Sequence, residues 1–380
     1  MRVNPALDRV GAHPIAAIQQ KVRDLRAAGE TVVDFSIGDP RQPTWEAIPE
    51  AVRTAVPAVS QYPTTSGTPQ LRVAIAGYVE RRFGVRLDPA TQIMPTSGSK
   101  EAIFSTALAF VDPRRGDAVA YPDPGYPVYE RGAVMAGAQA VPIAANDRFV
   151  VTVAQVPDEL WPDLAMLWIC TPSNPTGAVT SLADLRALVE SCRGHDVLLC
   201  SDECYVDLYA PGAEPPPSAL SVSPDDQSGI LSYLSLSKRS GMTGYRSGAI
   251  VGDAVAIERL HKLRTSTGTA SPEFIQAGAA VAWADDDHVE ARRLVFEEKR
   301  RILRGVFAEA GLTVAASEAG LYLWVEVGHD AEVAEKLAGA GVVVSPGRIF
   351  GSRGEGFIRL ALVPSLEDCR TAGESILQAL

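Results

Sequence analysis

The sequence predicts an α/β protein with a mostly parallel seven-stranded sheet in a large domain, and with a smaller α+β domain beside it. Seven short apolar segments alternate with helical or loop segments between residues 92 and 252. Strands that are buried on both faces have this composition, because helices cover both sides of a parallel sheet. Polar residues directly follow several of these segments, and the alternation ends near residue 285. Ligands of such sheets bind beyond the carboxyl ends of the strands, so the polar residues mark the expected site.

The chain length is consistent with two domains. At about 150 residues per domain, 380 residues correspond to one large and one small domain. The change of pattern near residue 285 predicts a large domain over residues 45–285. Residues 1–44 and 286–380 are then expected to form the small domain together.

The N-terminal region contains clear helix and turn signals. A helix is predicted over residues 14–29, which end in glycine, and a strand over residues 32–36. Thr44 is in position to cap a helix over residues 45–56. A Thr-Pro pair opens the next helix, over residues 69–83, with proline at the first helical position.

The remaining elements follow from hydrophobic periodicity. The seven predicted strands of the large sheet are residues 92–96, 118–121, 140–143, 165–170, 197–201, 231–236 and 248–252. The predicted C-terminal elements are a charged helix over 287–310, a strand over 321–327, a helix over 330–339, strands over 342–345 and 357–362, and a closing helix. The Pro-rich segment 211–224 is predicted to be a surface loop.

Composition and charge exclude several classes of protein. Hydrophobic residues make up 46% of the chain and charged residues 21%, which is typical of a soluble globular protein. A net charge of −11 without a basic tract is unfavourable for binding nucleic acid or an anionic membrane. No apolar segment approaches the roughly 20 residues that span a bilayer, and the N-terminus lacks the apolar core of a signal peptide. We therefore expect a cytoplasmic protein without nucleic-acid or membrane partners.

The cysteine and histidine residues do not predict a disulfide framework or a metal site. Five cysteines are spread through a large chain, and Cys200 and Cys204 form a C-x3-C pair without a second pair. The five histidines are scattered and show no H-x3-H spacing. We expect the cysteines to be buried as small hydrophobic residues and no metal to be bound.

Lys238 is the residue from which a chemical function can be argued. It follows a hydrophobic segment in the motif Ser235-Leu236-Ser237-Lys238, and Arg246 lies eight residues further on. A lysine at the end of a buried strand loses hydration, which favours the neutral, nucleophilic amine that forms a Schiff base with an aldehyde. Arg246 would supply a cation for a phosphate. Alternatively, the pair lies in a solvated surface turn.

Four further segments place polar groups at predicted strand ends or in an apolar strand. The turn at Gly98 before a helix start can bind a phosphate through backbone N–H groups, although a simple helix cap has the same pattern. Asn174 lies in a proline-flanked loop, and Asp202 ends a strand three residues before Tyr205. These could equally be an ordinary turn and a helix cap. Arg359 lies in an apolar strand and requires a carboxylate, either from a substrate or from a structural salt bridge.

Together these motifs resemble the class I/II aminotransferases of pyridoxal-phosphate fold type I, from about residue 32 to residue 362. The resemblance rests on the order and spacing of N-P-T-G, D-E-x-Y, S-x-S-K and the later arginine. The sequence around Lys238 and over residues 96–104 is most similar to that of bacterial succinyldiaminopimelate aminotransferases of lysine biosynthesis. The resemblance implies a pyridoxal 5'-phosphate cofactor, amino-acid and 2-oxoacid substrates, and a homodimer with shared active sites.

The resemblance also implies roles for individual residues. Lys238 would hold the cofactor through its amine and then carry the proton at the substrate Cα, and Asp202 would pair with the ring nitrogen. Tyr205 and Asn174 would bind the ring hydroxyl, and Tyr126 would stack on the ring. The remaining implied contacts are Gly98, Ser99, Lys100, Ser235 and Arg246 at the phosphate, Gly38, Asn174 and Arg359 at the substrate carboxylate, and Tyr62 at the phosphate of the neighbouring subunit.

The donor is the least constrained part of the predicted function. The best-supported reaction moves an amino group from N-succinyl-LL-2,6-diaminopimelate to 2-oxoglutarate. Aspartate, aromatic and alanine aminotransferases, a pyridoxal-phosphate carbon–sulfur lyase, and a non-catalytic effector-sensing domain are the alternatives. Arg41 lies three residues beyond Gly38, so its side chain could reach the far end of a long donor, or it could be a solvated loop residue.

Overall fold

The computed structural model of the chain describes residues 1–11 and 14–380. The first elements along the chain are α1 (Ala6–Val10), α2 (Pro14–Ala27), β1 (Val33–Asp34), α3 (Ala47–Ala55) and α4 (Pro69–Phe83). Helix α4 begins as predicted, because the Thr68 side chain accepts a hydrogen bond from the Leu71 N–H and proline occupies the first turn. The prediction that Thr44 caps α3 is wrong. The Thr44 hydroxyl instead donates to the Gly241 carbonyl, 2.9 Å away, and the helix begins at Ala47.

The seven predicted strands form one sheet, as expected. They are β2 (Ile93–Thr96), β3 (Ala118–Asp123), β4 (Gln139–Ala144), β5 (Leu164–Cys170), β6 (Leu198–Asp202), β7 (Ile230–Ser235) and β8 (Gly248–Gly252), in the order β2-β8-β7-β6-β5-β3-β4. Strand β8 is antiparallel to both of its neighbours, so the other six strands run in one direction. Their carboxyl ends therefore meet at one edge.

Helices cover both faces of this sheet. They are α5 (Ser99–Phe110), α6 (Val128–Ala136), α7 (Leu182–Gly194), α8 (Leu236–Arg239), α9 (Ala254–Thr267) and α10 (Glu273–Ala284). Alternate residues of β5 belong to different hydrophobic clusters: Leu167 and Ile169 pack on one face, and Met166 and Trp168 on the other. This two-sided burial explains why the strands are continuous apolar segments in the sequence.

The C-terminal part of the chain builds a second, smaller sheet. Its elements are α11 (Asp287–Glu309), β9 (Val314–Ala316), β10 (Tyr322–Glu326), α12 (Asp330–Gly339), β11 (Val342–Val343), β12 (Ser345–Pro346), β13 (Phe357–Ala361) and α13 (Leu366–Ala379). The antiparallel order is β12-β13-β10-β9, and β11 pairs in parallel with β1 from the N-terminal segment. The exact domain boundaries stay a prediction.

Three details differ from the sequence-based expectation. Strand β9 was not expected, and the single strand predicted over residues 342–345 is two short strands in different sheets. The Pro-rich segment 211–224 is exposed in its first half, but Ala219 and Leu220 are fully buried in a short 3-10 helix. Among the described residues, no helix is long and apolar enough to cross a membrane.

Candidate active site

A cavity of about 300 Å³ lies at the edge where the carboxyl ends of the six parallel strands meet. Several loops that follow these strands contribute to it, and so do the second sheet and the N-terminal segment. The residues that line it are Ile15, Ile37, Gly38, Ser99, Lys100, Ile103, Tyr126, Pro127, Asn174, Asp202, Cys204, Tyr205, Ser235, Ser237, Lys238, Arg246, Tyr322, Phe350 and Arg359. Twelve of the fourteen residues predicted for the site are in this set or directly next to it.

Lys238 lies in the short helix α8, directly after β7. The Ser235 side chain caps this helix by accepting a hydrogen bond from the Ser237 N–H. The Lys238 amine donates to the carbonyl oxygen of Gly38. Burial lowers the pKa of Lys238 to about 8, while the nearby Asp39 opposes this effect. The amine is therefore a better nucleophile at neutral pH than an ordinary surface lysine.

Asp202, at the end of β6, is a buried carboxylate with two hydrogen-bond donors. Tyr129 donates to its Oδ2 at 2.7 Å, and the Cys204 N–H donates to its Oδ1 at 3.2 Å. Burial raises the pKa of Asp202, and these hydrogen bonds and Lys238 act in the opposite direction. A cationic ring nitrogen placed beside this carboxylate would offset its desolvation.

The start of α5 offers a binding site for an anion. Gly98, with φ 82°, precedes the helix and provides no side-chain cap, so the first N–H groups of α5 lie free of a capping side chain. A Cβ at Gly98 would lie 2.4 Å from Nη2 of Arg246, so glycine permits the guanidinium to approach. Burial, Arg131 and Arg246 together lower the pKa of Lys100. A phosphate fits this positive helix terminus.

Arg359 is a fully buried cation on β13. Its guanidinium donates to Oδ1 of Asn174 at 2.7 Å and to the Ser36 carbonyl at 2.5 Å. Among the described residues, none provides a carboxylate within 4.0 Å of it, and its Nε lacks a hydrogen-bond partner. The structural salt bridge considered from the sequence is thus not found in the described chain. A buried guanidinium that lines a cavity and has no carboxylate partner among the described residues can bind the carboxylate of a substrate.

Tyrosines form the remaining polar wall of the cavity. Tyr205 follows β6, and its hydroxyl lies 2.9 Å from the hydroxyl of Tyr322 on β10. Tyr126 stands edge-on to Tyr129, with ring centroids 5.7 Å apart. Burial raises the pKa of all four phenols above the ordinary range, so they remain neutral at physiological pH.

Two predicted residues do not line the cavity. The Arg41 side chain is half exposed, and its Nη2 lies 4.0 Å from Oδ2 of the buried Asp34. Tyr62 lies in the loop between α3 and α4, with its side chain fully exposed. It cannot contribute to the cavity of its own chain in this arrangement.

Several residues of the site were not predicted from the sequence. Tyr129 lies in the first turn of α6, three residues after Tyr126, which precedes the helix, and this short spacing could have identified it as a neighbour. No local signal identifies Tyr322 on β10, Phe350 between β12 and β13, or Ile15 on α2, because contacts between distant parts of the sequence bring them to the cavity.

The residues present fit pyridoxal phosphate. The cavity combines a nucleophilic lysine, a buried carboxylate and an uncapped helix terminus beside an arginine, and these features match an aldehyde, a ring nitrogen and a phosphate respectively. Fold and site together define a pyridoxal-phosphate-dependent enzyme of fold type I.

Comparisons with known proteins identify the family. The family description "Aminotransferase class I and II" matches residues 30–376. The chain belongs to this family of pyridoxal-phosphate-dependent aminotransferases, whose substrates are amino acids and 2-oxoacids.

Two curated relatives are named LL-diaminopimelate aminotransferase. The protein from Gloeobacter violaceus is 34% identical over 98% of this chain and 97% of its own length. The protein from Desulforudis audaxviator is 37% identical over 91% and 90%, respectively. A solved structure from Thermus thermophilus, named "probable N-succinyldiaminopimelate aminotransferase", is 28% identical, covers 96% of this chain and 100% of its own, and has a TM-score of 0.90.

Proposed function

We propose that Lys238, Asp202 and Arg359 perform the transamination. The observation that carries this proposal is their convergence in one cavity from three separate elements, α8, β6 and β13. When bound, pyridoxal phosphate supplies an electron sink for the charge that develops at the substrate Cα. Lys238 moves the proton at Cα, Asp202 keeps a proton on the ring nitrogen, and Arg359 orients the substrate carboxylate.

The other residues of the site hold the cofactor in this proposal. Tyr205 and Asn174 bind the ring hydroxyl, and Tyr126 stacks on the ring. Gly38 and Asn174 assist Arg359 at the substrate carboxylate, with Asn174 already bonded to Arg359. The phosphate contacts come from Gly98, Ser99, Lys100, Ser235 and Arg246.

LL-2,6-diaminopimelate is the proposed amino donor, and 2-oxoglutarate is the proposed acceptor. The support comes from relatives at 34–37% identity that carry the name LL-diaminopimelate aminotransferase and align over at least 90% of their length. This replaces the N-succinyl compound as the first candidate. Both donors are long and carry a second carboxylate, so the sequence-based expectation of a long dicarboxylic donor is retained.

The N-succinyl compound is the second candidate because of the charges that line the cavity. Among the described lining residues, Asp202 is the only carboxylate, whereas three residues besides Lys238 are cationic: Lys100, Arg246 and Arg359. LL-diaminopimelate has a free distal ammonium that would need an acceptor, and the succinyl amide removes that charge. The two donors therefore make different demands on the same cavity.

A donor panel with 2-oxoglutarate as acceptor tests the proposal. We expect LL-diaminopimelate to exceed the N-succinyl compound, aspartate, phenylalanine and alanine in kcat/KM by roughly 10- to 150-fold, the range for one charge-assisted contact. A higher value for the N-succinyl compound would reverse the order of the two candidates. Pyruvate and ammonia released from a sulfur-containing amino acid would indicate the carbon–sulfur lyase instead.

Substitution of Arg41 tests whether its side chain contacts the far end of the donor. If its side chain reaches the donor, Arg41→Ala should raise KM for the long donor and leave alanine turnover unchanged. Equal losses for both donors would show that Arg41 supports the loop through Asp34, 4.0 Å away.

A homodimer with shared active sites is also proposed. Tyr62, Val56 and Val59 lie in one connecting segment, and each exposes more than half of its side chain. A second copy that covers this segment would bury these side chains and could place Tyr62 at its own phosphate site.

A further inference from the structure

Tyr322 contacts three parts of the cavity, although it lies in the second sheet. Asp202 and Lys238 are positioned by the seven-stranded sheet. The Tyr322 hydroxyl lies 2.9 Å from that of Tyr205, and the two rings meet at 65° with centroids 5.3 Å apart. Both side chains are buried. The hydroxyl pair is therefore a polar contact between the loop after β6 and strand β10 of the second sheet.

The surroundings of Tyr322 are closely packed. A Cβ added to Gly38 would lie 2.5 Å from the Tyr322 oxygen, so only glycine fits there without displacement. On the neighbouring strand, Arg359 pairs with Trp324, two residues from Tyr322 and on the same face. Its guanidinium carbon lies 4.5 Å from the Tyr322 ring centroid. Tyr322 is thus fixed from two sides while its hydroxyl points at Tyr205.

We propose that Tyr322 is a positioning residue for transamination, and that its hydroxyl donates to Tyr205 so that Tyr205 can donate to the 3'-oxygen of pyridoxal phosphate. This inference rests on the proposed role of Tyr205 at the ring hydroxyl. A phenol has one proton to donate. If Tyr205 gave its proton to Tyr322, it would have none for the cofactor, so the reverse direction is required.

The electrostatic surroundings are consistent with this direction. Burial raises the pKa of both phenols, and Arg359 acts to lower that of Tyr322. A cation beside Tyr322 polarises its O–H bond and makes it the better donor of the pair. The other titratable groups that interact electrostatically with the two phenols are Asp202, Cys170, Cys204 and Tyr126, and Lys238 lines the same cavity.

Loss of the Tyr322 hydroxyl should shift a spectroscopic titration. A donor at the 3'-oxygen stabilises the form of the lysine-bound cofactor in which that oxygen is anionic and the linkage nitrogen is unprotonated. Tyr322→Phe weakens this donor, so the midpoint of the visible absorbance titration should rise by about 0.3–1 pH unit, the size of one net hydrogen bond. The affinity of the apoenzyme for the cofactor should fall several-fold. The value of kcat should fall while KM stays close to wild type, because the phenyl ring still supports Arg359.

Tyr233→Phe is the matched control. Tyr233 is also fully buried, and its hydroxyl also pairs with another hydroxyl, that of Thr106 at 2.8 Å, but it does not line the cavity. This variant should keep the wild-type midpoint. An unchanged midpoint in both Tyr322→Phe and Tyr233→Phe, with normal near-ultraviolet circular dichroism, overturns the inference.

A double-mutant cycle with Tyr205→Phe tests the route through Tyr205. In the Tyr205→Phe background, Tyr322→Phe should give no additional shift of the titration midpoint, because residue 205 then has no hydroxyl for Tyr322 to orient. A full additional shift would mean that Tyr322 acts on the cofactor directly, which contradicts the positioning role. If the wild-type protein itself forms no visible lysine-bound species, the proposed function fails together with the inference. A normal wild-type titration with an unaffected Tyr322→Phe variant rejects the inference alone.

Discussion

At the scale of single residues, the reactivity of Lys238 depends on its desolvation. Burial lowers its pKa to about 8, from an ordinary value of about 10.4. Capture of pyridoxal phosphate by the apoenzyme requires the neutral amine. The observed rate constant should therefore rise about tenfold per pH unit below pH 8 and level off above it, when it is followed by stopped-flow absorbance.

Lys238→Ala provides the control for this titration. It should show no visible lysine-bound species at any pH and should lose nearly all transamination. A rate profile with its midpoint near 10 in the wild-type protein would show that the amine is solvated. A variant that retains the absorbance would indicate that another lysine holds the cofactor.

Asp202 should act on the chemical step and not on retention of the cofactor. Asp202→Asn keeps the shape of the side chain, and its single amide oxygen can still accept a hydrogen bond from either Tyr129 or the Cys204 N–H. The substitution removes the charge that is proposed to hold the proton on the ring nitrogen. We expect the cofactor to stay bound and Cα–H abstraction, measured with α-deuterated donor, to slow by several orders of magnitude. Near-normal turnover would show that Asp202 only ends its strand.

At the scale of elements, the short helix α8 is held by a network of buried side chains. Arg239, directly after Lys238, pairs with Asp207 at 2.9 Å and with Asp286 at the start of α11. The Ser240 hydroxyl lies 2.8 Å from Nε2 of His288, and Nδ1 of the same ring lies 2.6 Å from Oδ1 of Asp285. These contacts connect the turn that carries Lys238 to the junction between α10 and α11.

Removal of the Arg239 charge should destabilise the whole fold. Arg239 and Asp207 are both almost fully buried, and an unpaired buried charge is strongly unfavourable. Arg82 and Tyr78 also contact Asp207, so its carboxylate keeps two partners without Arg239. We therefore expect Arg239→Met to lower the free energy of unfolding, measured with urea, by about 3 kcal/mol, the lower end of the range for a broken buried ion pair.

Arg53→Met is the control for Arg239→Met. Arg53 pairs with Glu46 and Glu50 on the surface, and such exposed pairs contribute little to stability because solvent screens them. Equal losses in the two variants would show that the Arg239 network is not the origin of the effect.

Elements with strong local signals could be predicted from the sequence, and those set by distant contacts could not. Strands β2 to β8 are continuous apolar segments, and α4 has both of its boundary signals in the sequence. The predicted Thr44 cap does not form, because the Thr44 hydroxyl donates a hydrogen bond to the carbonyl of Gly241, about 200 positions away. In the site, Lys238 and Asp202 follow strands of one sheet, so their convergence was predictable. Tyr322 was not, because its place depends on how the second sheet packs on the first.

At the scale of the whole molecule, the proposed dimer requires each subunit to complete the site of its partner. Tyr62 is fully exposed, and its segment also exposes Val56 and Val59. Tyr62→Phe should weaken cofactor retention if its hydroxyl reaches a phosphate, and sedimentation should show a dimer. A monomer would contradict the shared-site proposal directly.

Subunit mixing distinguishes a contribution in trans from one in the same chain. Lys238→Ala and Tyr62→Phe protomers should form hybrid dimers in which the intact lysine meets the intact tyrosine of the other subunit. Random one-to-one mixing makes half of the dimers hybrid, so about one quarter of all sites should regain wild-type cofactor affinity and activity. Mixing Lys238→Ala with Asp202→Asn is the control, because both residues line one cavity within a single chain and no hybrid site is complete. If the first mixture shows only the average of its parents, Tyr62 acts within its own chain or not at the site.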